Sequence, residues 1–346
     1  MRSLLALILA VAMIAGALVY RLDRDGGAGL DLAGGGAEPA LVCITELAAV
    51  CKELAESQGV AVTIEPAGVT AAALSAGNPP TADGWLTLAP WRDLTAEARA
   101  RSGGQALPAA SGAILGRSPL VLVVAKEREP SLAGPCKGDV NWRCVGQVSG
   151  TPWFDIGGDP AWGNVKPGFA DPSTSATGLL VLGAAAGDFF GRSKFSAADL
   201  NSDGFLAWAD ELAHGAGDHG SATNSPMAQQ LQFGPARYDV VGTTEAEAGP
   251  AHARSARADD FVISYPQTPA VAEVVLAQLR PGDGAAEMRT IIEESGVPAL
   301  AAAGWRVPGE QAADGVEQRL VLPQGSNLPP AGVLDALRLR WEEVSK

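Results

Sequence analysis

Four hydroxyl side chains, Ser173, Thr174, Ser175 and Thr177, crowd into one short stretch behind Asp171-Pro172 and directly ahead of Gly178 and an apolar run at 179–190. Proline biases the residue before it away from helical backbone, so the spacing predicts a loop that turns into a helix. A helix start exposes unpaired backbone N–H groups at the positive end of its dipole. Such a start can seat an oxyanion or a ligand carboxylate. The same hydroxyls, Ser175 and Thr177 above all, can instead serve only as helix caps.

Other groupings carry less chemistry. Asp199, Asn201, Asp203 and Gly204 match the first half of a calcium loop, but the twelfth position holds Asp210 where a bidentate glutamate is wanted, and Glu211 is one residue late. An ordinary turn with a cap at Ser202 accounts for them. His214, Asp218 and His219 lie in a glycine-rich loop without convergent ligands. That loop spells Gly-x-Gly-x-x-Gly over 215–220, but it follows a helix, and Asp218 would repel a pyrophosphate. The sequence holds no nucleophile elbow, no His-Glu-x-x-His and no Walker loop, and it has only three histidines. It therefore predicts no catalytic residue, no metal site and no cofactor.

Composition sets the bounds. The 346 residues fit about two compact domains, and 47% hydrophobic content supplies a core. A net charge of −14 argues against nucleic acid as a partner. Residues 4–20 are uncharged and almost wholly apolar behind Arg2, which predicts a signal anchor within 1–24 or a cleaved signal peptide, and an exported chain either way. Residues 25–39 read as a flexible tether. An even count of four cysteines suits an exported protein. Of three pairings, Cys43 with Cys51 and Cys136 with Cys144 is favoured, because a strand leading out and a helix leading back bring Cys43 and Cys51 nearly level. Zinc is not expected, since neither pair has the short spacing of zinc motifs.

The elements that must position these groups alternate. Strands are predicted at 40–44, 60–64, 85–88, 120–125, 238–242 and 261–265, with helices after Thr45, at 71–75, 179–190, 205–212, after Thr243, and at 270–279, 284–295, 297–303 and 332–344. Alternation of this kind predicts an α/β protein with parallel βαβ units.

Five stretches in order carry a resemblance: the opening strand with its polar turn, Asp83-Gly-Trp-Leu-Thr-Leu-Ala-Pro-Trp91, Arg117-Ser-Pro-Leu-Val-Leu-Val123, the hydroxyl loop, and Tyr238-Asp-Val-Val-Gly-Thr-Thr-Glu-Ala-Glu247. Over 40–345 the chain resembles the type II extracytoplasmic solute-binding proteins, the molybdate-, sulfate- and phosphate-binding-like group. The resemblance implies two α/β lobes, each a sheet flanked by helices, joined by crossovers near 125 and 255. Lobe 1 would be 40–125 plus 256–346 and lobe 2 would be 126–255. It implies a monomer that closes around a small polar or anionic ligand for an ABC-type uptake system, with a membrane permease or sensor as partner. An interaction or ligand-sensing module without a transport role is the alternative.

Carried over residue by residue, the ligand site would comprise Thr45, Glu46, Thr87, Trp91, Ser118, Ser173, Thr174, Ser175, Tyr238, Thr243, Thr244 and Glu245. Glu46 and Glu245 do not suit a bound oxyanion. Either they stabilise the first turns of helices, or the ligand has a cationic end. Trp85 and Trp91 read as an aromatic wall or as core.

Overall fold

The computed structural model describes residues 38–108, 113–216, 225–267 and 269–345. The expected signal anchor, the tether up to residue 37, Asp218 and His219 lie outside these residues. Among the described residues no helix is long and apolar enough to cross a membrane.

The chain opens with strand β1 (Ala40–Ile44), a 3-10 turn Thr45–Leu47, helix α1 (Ala48–Gln58), β2 (Ala61–Glu65), α2 (Ala67–Ser75), β3 (Gly84–Leu88) and α3 (Ala89–Arg101). Helix α1 buries Val50, Cys51 and Leu54 on one face and ends at Gly59, whose φ of 67° is the left-handed conformation that glycine adopts without strain. Next come β4 (Ile114–Ala125), α4 (Glu129–Leu132), α5 (Trp142–Val148), β5 (Pro167–Gly168), α6 (Ala176–Phe190), α7 (Asp203–Ala216), α8 (Pro226–Phe233), β6 (Val240–Thr244) and α9 (Glu245–Ala253). The chain closes with β7 (Phe261–Ser264), β8 (Val271–Gln278), α10 (Asp283–Ile291), a π turn Ile292–Gly296, α11 (Val297–Ala302) and α12 (Ala331–Val344).

The strands form a continuous sheet in the order β2-β1-β3-β8-β4-β6-β5, with β7 also on β4. Strand β4 is the spine. Its first half, to Pro119, pairs with β8. From Leu120 onward it pairs with β6 and β7 instead. Two half-sheets result: β2-β1-β3-β8-β4 and β5-β6-β4-β7. The change of partners falls at 119/120 on the way out and between β7 and β8 on the way back, earlier and later than the expected passages near 125 and 255.

Several sequence expectations are corrected. Residues 270–279 are not a helix; they are β8, hydrogen-bonded to β3 on one edge and β4 on the other. A strand covered on both faces shows a nearly continuous apolar run, and periodicity cannot separate that from a buried helix segment. Strand β4 starts at Ile114 rather than at 120. Directly after β3, where no helix is expected from the sequence, Ala89-Pro90-Trp91 opens α3, because proline in a first helical turn lacks only an N–H that would be unpaired anyway.

Both cysteine pairs are disulfides, Cys43–Cys51 with Cα atoms 6.6 Å apart and Cys136–Cys144 at 5.0 Å. One large apolar cluster runs through both half-sheets, and a smaller one around Val121, Val123, Tyr238 and Phe261 backs the second.

Candidate functional site

Thr45 and Glu46 stand on the turn just past the C-terminal end of β1. Facing them from the second half-sheet is the loop between β5 and α6. There the Asp171 carboxylate accepts from the Ser173 N–H (2.9 Å) and from the Ser173 and Thr174 hydroxyls. The Thr174 carbonyl accepts from the Gly68 N–H at 3.0 Å, so the loop presses against the first turn of α2. A β-carbon at Gly68 would collide with the Ser173 carbonyl oxygen, so this approach requires glycine.

Ser175 caps α6, its Oγ accepting from the Gly178 N–H at 3.0 Å. It also donates to Glu46 Oε1 at 2.7 Å, and the Thr177 N–H donates to the same oxygen at 3.1 Å. The helix start that the sequence prepares for an anion thus holds the protein's own carboxylate, delivered from the other half-sheet. Both readings of the hydroxyl loop meet here, since Ser175 is a cap and α6 binds a carboxylate.

Strand β6 ends in Thr243 and Thr244. The Thr244 hydroxyl caps α9 by accepting from the Glu247 N–H at 3.2 Å. The hydroxyls of Thr243 and Ser225 donate to the Glu247 carboxylate. Ser225 in turn caps α8, accepting from the Ala228 N–H at 3.1 Å. Burial pushes the Glu247 carboxyl above the ordinary carboxylate range, the two hydroxyls pull it back, and the charge of Glu46 pushes it up again.

Between these groups lies a cavity of about 280 Å³. Thr45, Glu46, Ser175, Thr177, Ser225, Thr243, Thr244 and Glu247 give it polar walls; Leu47, Val50, Met227 and Trp305 supply apolar ones. No lysine, arginine or histidine lines it among the described residues. It opens at the C-terminal ends of β1, β5 and β6, where open α/β sheets bind ligands.

Of the residues expected from the sequence, the structure brings Thr45, Glu46, Ser175, Thr243 and Thr244 together around this cavity. The rest stand elsewhere. Thr87 is fully buried inside β3, and Trp91 is core in α3, as is Trp85 in β3. Tyr238 is buried in the smaller cluster, with the Arg237 guanidinium 4.9 Å from its ring centre. Ser173 and Thr174 direct their hydroxyls back to Asp171. Ser118 accepts from the Ala246 N–H at 2.9 Å and so pins the start of α9 to β4.

Glu245 is fully buried and structural: Arg306 grips both its oxygens at 2.7 Å, and the Tyr265 hydroxyl and the Glu317 N–H also donate to it. Burial and the hydrogen bond to Glu245 push the Tyr265 phenol well up. The Asp199 carboxylate accepts from the Ser196 N–H and hydroxyl and pairs with Arg192, and no cluster of three or more metal-ligating side chains occurs among the described residues. The Ser202 hydroxyl donates to the Asp199 carbonyl, which is a turn contact.

No protein-family model and no curated protein matches the sequence. Solved structures do. A periplasmic binding protein from Actinobacillus pleuropneumoniae, AfuA, with fructose-6-phosphate bound, superposes with a TM-score of 0.59 at 13% identity, covering 89% of this chain and 98% of that one. A periplasmic thiamin-binding protein gives 0.56 at 14% identity, with 92% and 100% covered. A Trichodesmium protein in complex with iron and citrate gives 0.55 at 11%, with 89% and 98% covered. This chain has the two-lobed periplasmic-binding-protein fold.

Within this fold the residues that sequence reasoning missed are Glu247, Ser225, Met227 and Trp305. Glu247 had a legible signal: Thr244-Glu245-Ala246-Glu247 is a capping-box pattern that marks a helix start. Ser225-Pro226 is another, a cap residue followed by proline in the first turn. Nothing local marks Trp305, which stands beside the isolated bridge between Arg117 and Arg306 and lines the cavity.

Proposed function

We propose that this chain is an extracytoplasmic solute-binding protein that takes a small polar ligand into the cavity between Glu46, Ser175 and Glu247 and closes two lobes around it. One lobe carries the first half-sheet; the other carries the second. The observation that carries this reading is the cavity itself, lined with polar groups from both half-sheets at strand ends. The shared fold and the two disulfides support it. Closure would be driven by differential affinity, because groups on both sides contact a ligand together only in the closed state. The apolar segment at 4–20 would hold the protein at the membrane, beside a permease of an ABC-type uptake system. A ligand-sensing or interaction module without transport would use the same site and differ only in its membrane partner.

The test is a thermal-shift screen of the full chain against amines, carboxylates and oxyanions. At least one compound raises the melting temperature, and Ser175→Ala diminishes that rise. A screen in which no small molecule of any class stabilises the protein contradicts the reading.

A further inference from the structure

We propose that the cavity selects a small organic cation, a protonated or quaternary amine, held between the carboxylates of Glu46 and Glu247. This deepens the solute-binding reading and rests on it. At α6, the Thr177 N–H and the Ser175 hydroxyl are engaged by Glu46. At α8 and α9, Ser225 and Thr244 accept from their own helices, and the Ser225 and Thr243 hydroxyls donate to Glu247. The helix starts around the cavity are therefore already matched with carboxylates.

What remains, on residues that line the cavity, is a carboxylate oxygen and a hydroxyl left unmatched. Glu46 Oε2 and Thr45 Oγ1 are buried atoms without a hydrogen-bond partner among the described residues. A buried carboxylate oxygen without a partner is costly, and no basic side chain among the described lining residues answers it. An entering anion would meet two carboxylates at close range. A cation would meet two counter-charges and supply the missing donor.

Size and wall chemistry agree. About 280 Å³ lies at the small end of ligand pockets, and Leu47, Val50 and Met227 suit the alkyl groups of an amine. Trp305 lines the same space, and indole is the aromatic side chain that best attracts a cation. Burial and Glu46 both raise the proton affinity of Glu247, the state a bound cation would relieve.

The experiment titrates the full chain calorimetrically with methylamine, ethanolamine, choline and putrescine chlorides, and with sodium acetate, sulfate and phosphate, at matched ionic strength. One or more of the amines is expected to bind, with Glu46→Gln and Glu247→Gln each weakening it roughly tenfold or more. Glu310→Gln, at an exposed position away from the cavity, leaves it unchanged. Should Glu46→Gln not fold, Glu247→Gln carries the comparison alone. Anions binding the wild type, or binding Glu46→Gln more tightly than the wild type, make Glu46 a plug in an anion seat; that overturns the cation assignment and leaves solute binding standing. Binding by neither class overturns both.

Discussion

Glu46 has one oxygen tied to Ser175 and Thr177 and the other buried without a partner, and the character of the site follows from that asymmetry. Its placement was legible in part. A polar turn after a strand and hydroxyls before a helix marked both partners, but nothing in the sequence said that they would meet each other. Thr87 and Trp91 were misplaced for a related reason. A strand interior and a covered helix face look locally like a strand end, and only the packing of the chain separates them.

A second carboxylate offers an independent test at this scale. Asp188 accepts from the Trp142 N–H at 3.0 Å, and its carboxyl is pushed up to about 6 by burial, with a further push from Asp139. The unfolded chain titrates near 3.8, so the folded state holds the proton more tightly. Stability is therefore expected to fall as pH rises through the interval from about 4 to 6 and to stay lower above it. Asp188→Asn keeps the acceptor and removes the charge. It should flatten that decline and raise stability at pH 7 by on the order of 2 kcal/mol, measured by urea unfolding across pH. An unchanged pH slope would show that Asp188 is not its source.

At the level of elements, α6 depends on its cap. Ser175→Ala removes the acceptor for the Gly178 N–H and should lower unfolding stability by about 1 kcal/mol. Thr177→Val keeps every backbone N–H and should cost less; equal losses would remove the cap from the account. The Cys43–Cys51 bridge ties the end of β1 to α1, flanking the turn that presents Thr45 and Glu46. Replacing both cysteines by serine should cost about 2–3 kcal/mol by the loop-entropy relation for a loop this short. Loss of ligand affinity beyond that of a destabilised control would place the bridge in site positioning as well.

The elements also show where sequence reasoning stops. Strands β1, β3, β6 and β7 and helices α1, α6, α10 and α12 came out of pattern and punctuation, Gly59 ending α1 being the clearest case. Strand β8 did not, because its identity is set by neighbours 188 and 154 positions away, in the pairs Thr87–Val275 and Ser118–Ala272 that bracket it within the sheet.

For the molecule as a whole, β4 makes two half-sheets into one connected structure. Its change of partners at 119/120, with the Ser118 hydroxyl holding the start of α9, joins them. The cavity lies where strand ends of the two half-sheets meet. Amide hydrogen exchange with and without the best-binding compound tests this most directly. The account predicts slowed exchange together at 45–50, 175–179 and 226–230, on both sides of the cavity. Protection confined to one half-sheet, or located away from these three segments, would contradict it.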